Sequence, residues 1–185
     1  NGTVKVGHFS EHNLIMPFKN VHGDIISLLG RSILSEHEQK ENKLQKYKYT
    51  INADKELYVF GLDDSKQSII DKGYVICVEG QFDHITCQEY GITNTVALGW
   101  ATLSRYQLFQ ISKYTENVVI LFDNDEAGNK GRENAKKRFS HLFNIKTMKP
   151  PEPYKDMDEF LRKNNSEEGK KKAINLLNNL EINGR

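Results

Sequence analysis

The chain has 185 residues, of which 26 are lysine or arginine and 25 are aspartate or glutamate, so its net charge is +1 with histidine neutral. Hydrophobic residues make up 37% of it, which allows a packed core and argues against a fully disordered chain. The longest apolar runs have five residues, whereas a membrane-spanning helix needs about 20. Two cysteines, Cys77 and Cys87, exclude a disulfide framework and a four-cysteine zinc site, and fit a reducing cytoplasm.

The first part of the chain, residues 1–71, is predicted to hold short strands and irregular segments. Leu14–Phe18 and Ile25–Leu29 are apolar runs separated by a polar stretch that contains glycine, which is typical of a hairpin. The wholly polar stretch Glu36–Lys43 predicts a loop. Lysine and tyrosine alternate over residues 46–49. That pattern fits either an edge strand protected by lysine or a basic, aromatic surface for nucleic acid.

Residues 72–149 alternate short apolar strands with helices. The three predicted strands are Tyr74–Val78, Thr95–Leu98 and Val118–Phe122. The predicted helices are Asp83–Tyr90, one that begins after Ser104, and Glu126 to about Phe143, followed in residues 150–185 by Asp156–Arg162 and Ser166–Leu180. Buried strands that alternate with helices are typical of a parallel sheet covered on both faces. We therefore predict an α/β fold, with a small mixed α+β subdomain before the sheet and helices after it.

Acidic residues follow two of the predicted strands, at the edge where open α/β sheets bind ligands. Glu79 follows the first strand, and Asp123 and Asp125 follow the third. Side chains two residues apart on a strand share a face, so the two aspartates are expected to face one spot near Glu79. Carboxylates about 4 Å apart repel by roughly 4 kcal/mol at an effective dielectric near 20, so the cluster needs protons or a cation. Oxygen ligands alone suit Mg²⁺ or Mn²⁺.

A strongly basic segment begins directly behind these acids. From Gly128 to Lys149 the sequence has seven lysine or arginine residues and one glutamate. Such a run is often a solvated helix face, but Lys130 and Arg132 stand where a metal-held phosphate would be expected. The pattern indicates metal-assisted phosphoryl or nucleotidyl transfer.

Rival motifs match less well. Asp123–Gly128 begins like a calcium-binding loop, but Asn134 stands where glutamate is needed. An aspartate-nucleophile phosphatase would want Thr or Val in place of Ala127. His8–His12 matches the zinc-protease pattern H-x-x-E-H but has no apolar helical face, so we ascribe the match to chance. Asp83 is interpreted as a helix cap.

With these residues in place, the middle of the chain resembles the Toprim domain shared by bacterial-type primases, topoisomerases and some nucleases. The matching segments are Glu79–Asp83, Ala97–Gly99 and Phe122–Gly128. The flanks resemble the RNA polymerase domain of DnaG-type DNA primases, through Ile15–Phe18, Gly23–Ile26, Gly30–Arg31, Leu57–Asp63 and Lys155–Leu161. The resemblance extends from about Leu14 to Lys163.

The resemblance implies synthesis of short RNA primers on a single-stranded DNA template, from ribonucleoside triphosphates and with two or more Mg²⁺ or Mn²⁺ ions. The catalytic and metal-binding residues that it implies are Glu79, Asp123 and Asp125, with Asp156 or Asp158 as a further ligand. The nucleotide- or template-binding residues that it implies are Arg31, Lys46 and Lys55, beside Lys130 and Arg132. Supporting roles fall to Gly80, Asp83, Gly99 and Gly128.

The chain departs from the family pattern at Asn124, Trp100 and Met157, where glycine, threonine and proline are usual. Because the sequence starts at Asn1 and shows neither the family's zinc module nor the C-terminal module that contacts the replicative helicase, we expect an excised, weakly active domain. Two alternatives stay open: a Toprim nuclease or topoisomerase fragment, and a catalytically inactive nucleic-acid-binding module.

Overall fold

The computed structural model describes residues 9–50 and 55–178, and the chain forms two compact units, Asn1–Asp54 and Lys55–Arg185. The division falls at residue 54 instead of the expected 71, because the helix Leu62–Lys72 packs against the sheet of the second unit. The predicted third segment, residues 150–185, also belongs to that unit. None of the helices in the described ranges is both long enough and apolar enough to cross a bilayer.

The first unit is built on a three-stranded antiparallel sheet. Its strands are β1 (Leu14–Lys19), β2 (Ile25–Arg31) and β3 (Tyr47–Tyr49), in the order β1-β2-β3. The predicted hairpin is confirmed by the antiparallel pairing of β1 with β2. The predicted loop is wrong, because Glu36–Glu41 forms helix α1. Ser35 and Glu38 accept hydrogen bonds from each other's backbone amides, and this capping box starts the helix.

The second unit is an α/β sandwich, as predicted. Its parallel strands are β4 (Val75–Val78), β5 (Thr95–Ala97), β6 (Asn117–Leu121) and β7 (Asn144–Met148), in the order β5-β4-β6-β7. Its helices are α2 (Leu62–Lys72), α3 (Gln81–Glu89), α4 (Arg105–Ile111), α5 (Glu126–Phe139), α6 (Met157–Lys163) and α7 (Glu167–Asn178), with a short 3-10 helix at Lys55–Leu57. Helix α2 and strand β7 were not predicted.

The core of the second unit covers both faces of the sheet. Every residue of β4 is fully buried. Ile76 and Val78 share a cluster with residues of β6, α3 and α6, including Met157 and Leu161. Cys77 points to the opposite face, because neighbours on a strand alternate, and it is buried as well. The sheet is therefore buried on both faces, and the residues that follow the paired strands β4 and β6 meet at one edge.

Candidate active site

The first acids of the site follow two paired strands. Val78, the last residue of β4, pairs with Leu121, the last residue of β6. Glu79 therefore leaves the sheet beside Asp123, as the sequence predicts. The Glu79 carboxylate accepts a hydrogen bond from the backbone amide of Asp123. Its Oε2 atom is buried and has no hydrogen-bond partner within the part of the chain that the structure describes.

The electrostatics of this edge favour protonation of Glu79 and Asp83. Burial, and then repulsion from Asp123 and Asp125, raises the pKa of Glu79 to about 7. Burial also raises the pKa of Asp83 to about 7, and Asp156 adds to the effect. At neutral pH a bound positive charge would therefore stabilise the ionised acids of the site.

Asp83 connects the strand-end acids to helix α6. Its carboxylate accepts a hydrogen bond from the Gly80 amide at 3.2 Å, so Asp83 is the third residue of the capping box of α3, and the N-cap is Gly80 instead of the predicted Asp83. It also accepts one from the Asp158 amide at 3.0 Å. Asp156 is the N-cap of α6 and accepts from the Glu159 amide at 2.8 Å. The acids of α6 are thus held at the same edge of the sheet.

Several of these carboxylates already have partners. The Lys155 ammonium lies 3.4 Å from Oδ2 of Asp123. Arg162 donates to Oδ1 of Asp158 at 2.6 Å, and the Thr86 hydroxyl donates to the same oxygen. Asp125 caps α5 by accepting from the Gly128 amide at 2.8 Å. In residues 9–50 and 55–178, no group of three or more His, Cys, Asp or Glu side chains is arranged to hold a metal ion.

The donor chemistry nevertheless fits a hard divalent cation. All the donors are oxygens, and the buried Oε2 of Glu79 has no other partner in the described ranges. A divalent ion would have to compete with Lys155 for Asp123.

Comparison with known proteins decides the family. Residues 76–161 match the family model described as Toprim-like. The DNA primase of Thermotoga maritima is 31% identical over 154 residues, which are 83% of this chain and 26% of that protein. The crystal structure of the Aquifex aeolicus primase, with its zinc-binding and RNA polymerase domains, matches with a TM-score of 0.76 at 33% identity, covering 90% of this chain and 40% of that chain. The chain belongs to the Toprim-containing, DnaG-type primase family.

This primase-family chain thus spans about a quarter of the Thermotoga protein. A DnaG primase catalytic domain solved with single-stranded DNA matches with a TM-score of 0.70 at 22% identity, over 88% of this chain and 50% of that one, which is a likeness of fold.

The structure corrects the role expected of Arg132. Its side chain is buried, with 4% of the residue exposed. The guanidinium donates to the backbone carbonyls of Phe122 and Asp123 and, at 2.6 Å, to Oδ1 of Asn129. It therefore stabilises the turn that carries Asp123, and its guanidinium is not exposed to bind a phosphate. Lys130 is exposed and pairs with Glu126 at 2.6 Å.

The predicted glycines support the same turns. A Cβ atom at position 128 would lie 2.2 Å from the Asp123 carbonyl oxygen, so α5 can approach the strand end only with glycine there. At Gly80 a Cβ atom would lie 2.8 Å from Oδ2 of Asp83. Gly99 has a φ of 87° and donates its amide to the Glu79 backbone carbonyl at 2.9 Å.

Two of the remaining basic residues of this primase-family chain lie over an aromatic ring of the first unit. Arg31 and Lys46 belong to the first unit, where their charged groups lie 5.6 Å and 5.9 Å from the centre of the Tyr47 ring. Their template-binding role stays a prediction. The Lys55 side chain and His8 lie outside the described residues.

Two residues of this site were not assigned roles from the sequence. Lys155 is part of the Lys155–Leu161 segment that resembles the family, and Asn124 is one of the positions that depart from the family pattern. The signal for Lys155 was its place directly before Asp156.

Without a divalent cation, the chain should become less stable as the pH rises from about 4.5 to about 7. Glu79 has an ordinary pKa of 4.5 and a pKa of about 7 when folded, so in this range the folded chain binds more protons than the unfolded chain and stability falls with pH. After allowance for solvent screening we expect a loss on the order of 1 kcal/mol. Urea unfolding with EDTA at pH 5.5 and pH 8.0 measures it. Glu79→Gln should reduce the difference, whereas the exposed control Glu116→Gln should retain it.

Proposed function

We propose that this chain is a primase catalytic domain that makes short RNA primers on single-stranded DNA by metal-dependent nucleotidyl transfer. The observation that carries the proposal is the meeting of Glu79, Asp123 and the acidic start of α6 at one edge of a parallel sheet. The names of the DNA primases to which it is similar support the same activity.

The bound ions, Mg²⁺ or Mn²⁺, would supply the electrostatic stabilisation of the charge that develops as an α-phosphate is attacked. Glu79, Asp123 and Asp125 would hold them, with Asp156 or Asp158 as a further ligand. Arg132 keeps the Asp123 backbone in place through its bonds to two carbonyls.

The proposed partners are a single-stranded DNA template and ribonucleoside triphosphates. A DnaG catalytic domain with the same fold was solved with single-stranded DNA bound. In this chain the cations of Arg31 and Lys46 over Tyr47 have the mixture of charge and aromatic surface that suits single strands. Binding of template should weaken as salt is raised.

The activity is tested by incubating the chain with circular single-stranded DNA, labelled ribonucleotides and Mn²⁺. The expected product is short labelled RNA. Cutting or relaxation of labelled circular DNA with no RNA product would favour a nuclease or topoisomerase fragment. DNA binding with neither reaction would favour an inactive module.

The double variant Asp123→Ala with Asp125→Ala should weaken Mn²⁺ binding at least about 10-fold, because it removes two oxygen ligands of the proposed site. Calorimetric titration of Mn²⁺ into wild type and variant measures this. Equal binding by both would remove the metal-site assignment. Glu167→Ala with Glu168→Ala, two acids at the start of α7, serves as the control for lost negative charge.

A further inference from the structure

We propose that Asn124 is a positioning residue that holds the segment between β7 and α6, and the acids beyond it, against the strand-end acids. The inference rests on the proposed metal-dependent function.

Asn124 donates three hydrogen bonds to this one segment. Its backbone amide donates to the Lys155 carbonyl at 2.7 Å. Its side-chain Nδ2 atom donates to the carbonyls of Pro150 and Tyr154 at 2.9 and 2.8 Å. Both side-chain hydrogens are used, and two carbonyl acceptors fix which end of the amide faces the segment.

The composition of the segment explains why a donor is needed there. Prolines at positions 150, 151 and 153 have no backbone N–H. The segment therefore has carbonyl oxygens to offer and few amides, and a neighbour that holds it must donate. Glycine at position 124 would keep the backbone donor but lose both side-chain donors.

The segment that Asn124 holds carries charged groups of the site. Lys155, whose carbonyl accepts from Asn124, also places its ammonium 3.4 Å from Asp123. Asp156 follows directly and caps α6. One residue between two strand-end acids thus fixes the backbone of the lysine that pairs with Asp123 and, through it, of the next acid along the chain.

Helix α6 has anchors of its own, so the contribution of Asn124 is separable. Met157 and Leu161 are buried in the core, and the Asp158 amide donates to Asp83. Loss of the Asn124 side chain should therefore loosen residues 150–156 and leave the helix docked. Alanine fits the backbone there, since Lys43 is the one non-glycine residue of the described ranges with a positive φ.

The test compares Asn124→Ala with wild type by Mn²⁺ titration and by amide hydrogen exchange. We expect Mn²⁺ binding about 10-fold weaker, which is the usual size for a partner that orients metal ligands, and faster exchange at Tyr154 and Lys155. The matched control is Asn144→Ala. The Asn144 side chain also donates a hydrogen bond, to Oδ1 of Asn117 at 2.8 Å. This bond joins the amino ends of β7 and β6, away from the acids of the site.

Each outcome has a distinct meaning. Normal Mn²⁺ binding by Asn124→Ala, with only a lower melting temperature, overturns the positioning role. Equal weakening in Asn124→Ala and Asn144→Ala also overturns it, because the effect would then be a general loss of stability. If Mn²⁺ binding by wild type matches that of the Asp123→Ala, Asp125→Ala variant, the metal site of the proposed function fails, and this inference with it. If the Asp123→Ala, Asp125→Ala variant binds Mn²⁺ weakly while Asn124→Ala binds it as tightly as wild type, this inference alone is overturned.

Discussion

Glu79→Gln should lower primer synthesis by about 1000-fold, equivalent to about 4 kcal/mol in the activation free energy, while the fold at pH 8 stays at least as stable as wild type. Glutamine has nearly the shape of glutamate, so packing beside β4 is retained. It removes one of the negative charges that repel at this edge, and burial already raises the pKa of Glu79 to about 7. The same change removes a charged oxygen ligand for a divalent ion.

Two measurements on the same sample test this prediction, one of the reaction rate and one of the stability. Labelled ribonucleotide incorporation on single-stranded DNA gives the rate, and urea unfolding at pH 8.0 gives the stability. Glu116→Gln, an exposed residue before β6, is the control and should change neither. A Glu79→Gln variant that still makes primers at the wild-type rate would contradict the assignment, and one that fails to fold would show that Glu79 is needed for structure.

The opposite signs of these two effects are expected of an acid that serves a functional site at the expense of stability. A half-buried carboxylate with an unpartnered oxygen in the described ranges costs stability in the absence of a cation. Strongly shifted pKa values of this kind concentrate at functional sites. Burial is the largest cause of the raised pKa at both Glu79 and Asp83, and neighbouring acids add to it, which is the expected pattern for a site that binds positive charge.

The sequence was sufficient to predict the sheet edge because its cause is periodic and local. Runs of buried apolar residues at β4 and β6 fix two parallel strands, and parallel strands end at one edge. Strand β7 was missed because it borders the sheet: Ile145 is its one buried residue, and Lys146 and Thr147 give it a polar sequence. Helix α1 has the wholly polar sequence that is typical of a loop, and the capping box of Ser35 and Glu38 is the local signal that favours a helix there.

Side-chain partners across long separations could not be predicted. Asp83 and Asp158 are 75 residues apart, and nothing in the local pattern says that the carboxylate of one accepts from the amide of the other. The same holds for Asn124, whose side-chain acceptors lie 26 and 30 residues away. Charge spacing predicted the acids of the site, but which cation would be buried beneath them depends on the packing of α5.

Arg132 is the cation that is buried near these acids, and its role is tested by substitution. Arg132→Met should destabilise the chain by about 3 kcal/mol, because it leaves the buried carbonyl of Phe122 and the partly buried carbonyl of Asp123 without their donor. It also removes a cation that lies near Glu79, Asp123 and Asp125. Burial lowers the pKa of Arg132, and these three carboxylates oppose that effect in part. Urea unfolding measures the loss.

The control for this prediction is Lys130→Met on the exposed face of the same helix. Lys130 makes an exposed pair with Glu126, so its replacement should change stability by less than about 0.5 kcal/mol. An Arg132→Met variant of wild-type stability that binds ribonucleotide more weakly would restore the phosphate-binding role predicted from the sequence. A large loss of stability in Arg132→Met but not in Lys130→Met would mean that the basic run behind Asp125 contains two kinds of residue. Arg132 is a buried structural residue and Lys130 is an exposed charge, and the sequence pattern does not distinguish them.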